Sequence, residues 1–326
     1  MKIWIYYEGY LSKMNLSPIL SRLNYCDRDI IIFSSTSTSH FDKEKIRNSA
    51  SIETFFKKSS KGDKLLTGIG TPGKVERELL SFCHRQKIKT IVLISDLGFD
   101  PIKLKTDQKY LVPDLLIFPD KITTQKFVSK LGSLNYISGG LPFLDNFYDL
   151  NVISRECSNT IGFFSVPIEY DQIHWTWPIE YTSQILLNDI MYAITDSDFE
   201  SVRVRKHPKE EVYSEVGTVS NLRFESNDLE MIEYFILSNK LLISSYSTSI
   251  ILAALLKKPS YSYQPDSKFI IREEIFDAIG IPIIKNRERI KKLIKEPNLS
   301  VNYDFDSIYN MGRATQYIMD QNILDI

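Results

Sequence analysis

Histidine and cysteine are scarce in this chain of 326 residues, with four of one and three of the other. His40, His84, His174 and His207 include no pair at the helical spacing of metal ligands. Cys26, Cys83 and Cys157 lie far apart and match no metal-binding interval. Both absences argue against a dedicated zinc site, and scattered cysteines point to a reducing compartment. Charge of one sign is missing too. Lys and Arg number 40 against 41 Asp and Glu, a formal net charge of −1. That balance argues against a general nucleic-acid binder, which would be strongly basic. No apolar run approaches the roughly 18 residues of a membrane span. Residues 1–10 show neither the apolar core nor the cleavage site of a secretory leader. No internal repeat or low-complexity tract occurs. The expectation is a cytoplasmic protein, at most peripheral on the inner face of a membrane.

What is present is an ordinary globular composition, 43% apolar and 25% charged, with a length that suggests two domains. Strand-like runs at 2–7 (KIWIYY), 29–34 (DIIIFS), 64–67, 90–95, 112–118 and 135–138 alternate with helical stretches. The unbroken apolar run of DIIIFS fits a parallel sheet covered on both faces. Residues 146–159 are polar with little periodicity, which places a boundary there. The first domain is read as 1–155 and the second as 156–303. Residues 304–326 are read as a C-terminal helix that crosses back to the first domain. The second domain restarts the alternation, with strands near 160–166, 201–205, 222–225, 240–244 and 260–263. Residues 167–178 read as an aromatic loop lining a cleft. Two Rossmann-like α/β domains facing an interdomain cleft are the expected architecture.

Two stretches carry chemistry. Residues 241–259, LLISSYSTSIILAALLKKP, read as a strand, a hydroxyl-rich turn and a helix. A helix starting in that turn aims free N–H groups and the positive end of its dipole above the strand. The hydroxyls of Ser244, Ser245, Ser247 and Thr248 add donors, which together suit a phosphate. Residues 202–211, VRVRKHPKEE, form a strand that ends in Arg205, Lys206, His207 and Pro208. If the two strands are parallel neighbours, these cations face the same crevice. Two other motifs are set aside. Gly68-Ile69-Gly70-Thr71-Pro72-Gly73 fits the dinucleotide pattern but follows a later strand than that fold requires. Asp196-Ser197-Asp198 precedes a strand rather than following one, so it is read as a loop and not a metal site.

The order of these features resembles a GT-B glycosyltransferase, and more narrowly the bacterial sialyltransferases that use CMP-sugars. His207-Pro208 matches their HP motif. Ser247-Thr248, or Ser244-Ser245, matches their Ser/Thr motif. Tyr7-Glu8-Gly9 stands where an acidic-acidic-glycine motif is sought, with tyrosine in place of the first acid. Teichoic-acid glycerophosphotransferases with CDP-linked donors and Kdo transferases are similar in the same two motifs.

The resemblance implies an inverting, metal-independent transfer of sialic acid or a related acidic sugar; the alternatives are a CDP-glycerol or UDP-sugar transferase of the same fold, or a non-catalytic GT-B-like binding protein. The donor would be a CMP-sugar co-substrate, with no separate cofactor. The acceptor would be a hydroxyl of a bacterial surface glycan or glycolipid, as in lipopolysaccharide or capsule. Glu8 is implied as the general base. His207 binds the phosphate or protonates it as the nucleotide leaves. Arg205, Lys206, Pro208, Ser244, Ser245, Ser247 and Thr248 frame the donor. The basic run at 285–295 is a candidate for peripheral membrane contact, or a solvated helix face.

Overall fold

The structure, a computed structural model, describes residues 1–7, 9–23, 29–34, 49–69, 74–105, 110–148, 157–175, 178–207, 210, 222–225 and 231–324. Two compact units divide the chain. The first comprises Met1–Asn146 with Asp306–Ile326, and the second Phe147–Phe305. Of the 146–159 stretch where the sequence places the boundary, residues 149–156 lie outside the described residues.

The first unit alternates strands and helices. In chain order these are β1 (Lys2–Tyr7), α1 (Gly9–Arg22), β2 (Asp29–Ser34), β3 (Ser49–Ala50), α2 (Ile52–Lys58) and β4 (Lys64–Ile69). Then come α3 (Lys74–Gln86), β5 (Lys89–Ile94), β6 (Leu115–Phe118), α4 (Lys121–Leu131), β7 (Tyr136–Ser138) and α5 (Pro142–Tyr148). The sheet is parallel throughout, in the order β3-β2-β1-β4-β5-β6-β7. Strand β1 shows why its sequence is apolar from Ile3 to Tyr7 without alternation. Ile3, Ile5 and Tyr7 join one core, while Trp4 and Tyr6 join another on the opposite face. A strand covered on both sides has no polar face to alternate.

The second unit repeats the plan with β8 (Ser158–Phe164), α6 (Ile168–Trp175), α7 (Ser183–Ile194), β9 (Ser201–Arg205), β10 (Leu222–Glu225) and α8 (Ile232–Ser238). It continues with β11 (Asn239–Ser244), α9 (Thr248–Leu255), β12 (Ser260–Tyr263), α10 (Glu273–Ile279), β13 (Ile283–Ile284) and α11 (Arg287–Lys295). Its strands are again all parallel, in the order β10-β9-β8-β11-β12-β13. In both sheets the winding reverses beside the first strand, at β1/β4 and at β8/β11. Ligands of such sheets bind at that reversal, beyond the carboxyl ends of the strands. The fold is α/β, with two Rossmann-like units of the GT-B kind.

Two local readings change. Residues 168–175, expected as loop, form α6. Glu169 and Asp171 lie in its first turn, where negative charge is favourable. The side chain of Asp171 is fixed by a hydrogen bond from the Tyr246 hydroxyl at 2.9 Å. The C-terminal helix is also shorter than 304–326. It is α12 (Ala314–Asp320), because Asn310 and Gly312 have φ of 48° and 75° and cannot continue a right-handed helix.

The segment leading to α12 belongs to the first unit through specific bonds. Lys121 N–H donates to the Ser307 carbonyl at 2.9 Å, and Tyr309 N–H to that of Pro119 at 3.0 Å. The Asp145 carboxylate accepts from Ala314 N–H, Thr315 N–H and the Thr315 hydroxyl at 2.9, 2.8 and 2.7 Å. It therefore caps α12 from α5. Gly140, at φ 85°, lets the 309 backbone approach so closely that a Cβ would stand 2.1 Å from the Tyr309 oxygen. Asp120 sits fully buried ahead of α4. It accepts from Thr123 N–H at 2.7 Å, the Thr123 hydroxyl at 2.6 Å and Gly98 N–H at 3.2 Å. Burial pushes its carboxyl above the usual range despite those donors.

These contacts predict stability losses at three positions. Asp145→Ala removes a cap and should cost about 1–2 kcal/mol. Gly140→Ala, strained in φ and blocked by a carbonyl, should cost more. Urea midpoints at constant slope measure both, and a wild-type midpoint for Gly140→Ala would contradict the close approach. Asp120→Ala strands buried N–H groups, at roughly 1–3 kcal/mol. Asp120→Asn keeps an acceptor and should lose less. Since the folded Asp120 carboxyl titrates above its unfolded value, its contribution is full below the unfolded value. It fades as pH rises through the folded one. The stability gap between wild type and Asp120→Asn should thus narrow as pH rises above about 4. A widening gap would refute the sign.

Candidate functional site

The second reversal point lies at the paired carboxyl ends of β8 and β11. Strand β11 is apolar on its inner positions, with Leu241, Leu242 and Ile243 fully buried. It stops because Ser244-Ser245-Tyr246-Ser247 turns the chain into α9. Ser247 is the N-cap, in extended conformation, and its hydroxyl accepts Ser249 N–H at 3.1 Å. Behind it, residues 250–255 are buried, and the first turn carries no acid. The dipole end of α9 therefore meets no negative charge from its own first turn.

The four hydroxyls of the turn do not share one direction. Ser244, fully buried, donates to the Phe164 carbonyl at 2.7 Å and so laces β11 to β8. Ser245, also fully buried, bonds the Tyr181 hydroxyl at 2.6 Å, and its carbonyl accepts the Ser262 hydroxyl at 2.6 Å. Ser247 and Thr248 are half-buried at the mouth of the helix. Ser244 and Ser245 therefore hold the turn, while Ser247 and Thr248 stand where a phosphate would meet α9.

A buried polar layer supports the turn from beneath. The Gln264 side chain accepts from Ile271 N–H and donates to the Ile271 carbonyl, both at 2.9 Å, and donates to the Ser262 hydroxyl at 3.0 Å. Tyr246 reaches Asp171 on α6. Burial raises the phenol pKa of Tyr181, with the Ser245 bond opposing it. Burial raises that of Tyr246 too, reinforced by the charge of Asp171. Both phenols stay neutral and serve as fixed hydrogen-bonding groups.

Strand β9 ends on the far side of β8 rather than beside β11, because the chain winds from β8 through β9 to β10 before crossing to β11. The cationic end and the hydroxyl turn thus flank β8 instead of being neighbours. Along β9, Val202 and Val204 enter the core with α7. Arg203 and Arg205 take the other face, with guanidinium carbons 5.3 and 5.9 Å from the Phe235 ring on α8. Strand alternation sends Arg205 over that aromatic. Lys206 and His207 follow the strand and are half-buried at its carboxyl end. Pro208, like Glu8, lies outside the described residues.

Two residues absent from the sequence-based candidates join these pieces. Ser165, just past β8, donates its N–H to the Arg205 carbonyl at 3.1 Å. Its hydroxyl accepts His207 N–H at 3.0 Å. The Glu210 carboxylate accepts the same N–H at 2.9 Å and hydrogen-bonds the Ser165 hydroxyl. Glu210 N–H returns to the His207 carbonyl at 3.0 Å, closing a turn. The available signal was the spacing His207-x-x-Glu210, the interval at which a capping-box glutamate reaches back to a main-chain N–H.

The other motifs have structural explanations. Gly68 is the penultimate residue of β4, where a Cβ would lie 2.9 Å from both the Ser12 Cβ and the Ser95 hydroxyl. Close packing requires glycine there, while residues 70–73 lie outside the described ones. Asp196 and Asp198 precede β9, at the opposite end of the sheet from the crevice. There Asp196 pairs with Lys291 at 3.1 Å. Among the described residues no group of three or more His, Cys, Asp or Glu gathers as a metal site. Nor is any described helix long and apolar enough to cross a membrane.

No protein-family profile matches the chain, and no curated protein matches it by sequence. Solved structures do. MnaA of S. aureus, determined with UDP, is 13% identical at a TM-score of 0.67, over 100% of this chain and 97% of that one. The UDP-GlcNAc 2-epimerase of Methanocaldococcus jannaschii is 12% identical at 0.63, over 99% and 100%. A variant of the wall teichoic acid polymerase TagF is 15% identical at 0.57, over 99% and 88%. At such identities the likeness establishes what the strand orders already show, a GT-B-like pair of Rossmann-like units.

Proposed function

We propose that this chain is a glycosyltransferase that takes its sugar from a nucleotide-sugar donor bound at the carboxyl edge of the second sheet. One observation supports this above the others. The open mouth of α9, with Ser247 and Thr248, and the His207 turn stand on either side of the end of β8. Helix N–H groups and hydroxyls on one side, with Lys206 and His207 on the other, suit a phosphate-bearing leaving group. Structures of similar fold were determined with UDP, and the TagF variant was soaked with CDPG.

In the proposed reaction an acceptor hydroxyl gives its proton to Glu8, and its oxygen bonds to the anomeric carbon. The bond from that carbon to the phosphate oxygen breaks, and the electron pair leaves with the nucleotide. His207 binds that oxygen or protonates it. The motif pattern favours a CMP-linked acidic sugar such as sialic acid. The acceptor would be a glycan or glycolipid of the bacterial surface, reached from the cytoplasm or the inner membrane face. A second reading, a nucleoside-diphosphate donor such as a UDP-sugar or CDP-glycerol, is favoured by the intervening β8. Strand ends two places apart are separated by roughly 10 Å, which a diphosphate spans more readily than one phosphate.

Calorimetric titration with CMP, CDP, UMP, UDP and NAD tests this. The wild type should bind a pyrimidine nucleotide and not NAD. His207→Ala and Thr248→Ala should each weaken binding by about tenfold or more, the worth of a hydrogen bond to a charged group. If His207 is the acid, His207→Ala should also lower turnover about a hundredfold. Diphosphate preference selects the second reading. Nucleotide affinity indifferent to both variants, or affinity for NAD alone, would overturn the proposal.

A further inference from the structure

The His207 turn is held by a carboxylate that the proposed chemistry does not use. Glu210 and Ser165 converge on one main-chain N–H, that of His207, at 2.9 and 3.0 Å. Ser165 is 3% exposed and is itself fixed at the end of β8, where its N–H donates to the Arg205 carbonyl. The residue before it, Phe164, offers the carbonyl that takes the Ser244 hydroxyl. Two consecutive residues therefore set both walls of the crevice, Phe164 the hydroxyl turn and Ser165 the histidine turn.

We infer that Glu210 is a positioning residue, which with Ser165 fixes the His207 turn to the end of β8 in its phosphate-binding conformation. A proline after His207 supplies no N–H, so the His207 N–H is the nearest main-chain donor on which the turn can be anchored. The Ser165 hydroxyl, shared with the carboxylate, prevents Glu210 from pivoting away. A ligand-contacting imidazole must be held to within a fraction of an ångström by groups behind it. Glu210 acts here through the main chain of His207, not on the reacting atoms. The ligand half of this inference rests on the proposed nucleotide site, whereas the anchoring half does not.

The experiment compares Glu210→Ala, Glu210→Gln, His207→Ala and the Glu210→Ala/His207→Ala double variant of the full chain. Amide hydrogen exchange at residue 207 is read first, without ligand. Exchange should speed up about tenfold or more in Glu210→Ala and stay near wild type in Glu210→Gln, whose amide oxygen still accepts. Unchanged exchange in Glu210→Ala would overturn the inference. Titration with CDP and UDP is read second. Glu210→Ala should weaken binding about tenfold alone but less than about twofold when His207 is already alanine. An equal loss in both backgrounds would mean a general structural role and would also overturn it. Faster exchange in a wild-type-stable Glu210→Ala, with no nucleotide bound even by wild type, would uphold the anchoring and sink the proposed function instead.

Discussion

The hydrogen bond from the Ser244 hydroxyl to the Phe164 carbonyl, together with Ser165 on its other side, constrains everything at the candidate site. Strands in a parallel sheet are registered by ladder bonds, but those bonds stop where the strands stop. Beyond that edge two loops of different length must be placed against each other without a ladder. Here fully or nearly buried side chains take over. Ser244 extends β11 onto β8, and Ser165 extends β8 onto the turn after β9. Leaving any one of these polar groups unmatched in the interior would cost about 1–3 kcal/mol. The turns have little freedom to take another arrangement.

This accounts for why much of the second unit was legible in its sequence and some of it was not. The run 241–259 reads as strand, turn and helix because each segment is locally consistent: LLIS for a buried strand, a serine as N-cap, and an apolar helix covered on all sides. Nothing non-local is needed to see it. The loop expected at 167–178 failed for the opposite reason. Helix α6 has little apolar periodicity of its own, and its Asp171 is held by Tyr246, some 75 residues away. The helix expected at the C-terminus was too long because a mean apolar pattern does not reveal left-handed residues such as Asn310.

The site was legible as a list of residue types but not as an arrangement. Four hydroxyls in a row look like four donors. In the structure Ser244 and Ser245 are fully buried and spent on Phe164 and Tyr181. Arg205 looked like a phosphate cation, yet alternation along β9 lays it over Phe235. The order of strands, which inserts β8 between the two motifs, depends on which way the chain crosses at the reversal. Local sequence carries no signal for that. Glu210 was overlooked because an acid after a basic turn looks like a solvated surface residue, and its role depends on a serine 45 positions earlier.

The Ser244 and Ser245 hydroxyls bond within the protein and Arg205 lies over Phe235, so the other candidates matter more. A helix N-terminus offers about half a unit charge, and two half-buried hydroxyls add donors without charge. That set alone is a modest match for a phosphate and a poor one for a diphosphate. Among the described residues, Lys206 and His207 across the end of β8 are groups that a strong anion site at this edge would draw on. Their placement is then worth more than their mere presence, since a cation displaced by a few ångströms toward solvent is screened. In the proposed site, positioning by Ser165 and Glu210 and the chemistry of His207 would thus become one requirement: the fewer the groups that would face a ligand, the more each depends on the frame that aims it.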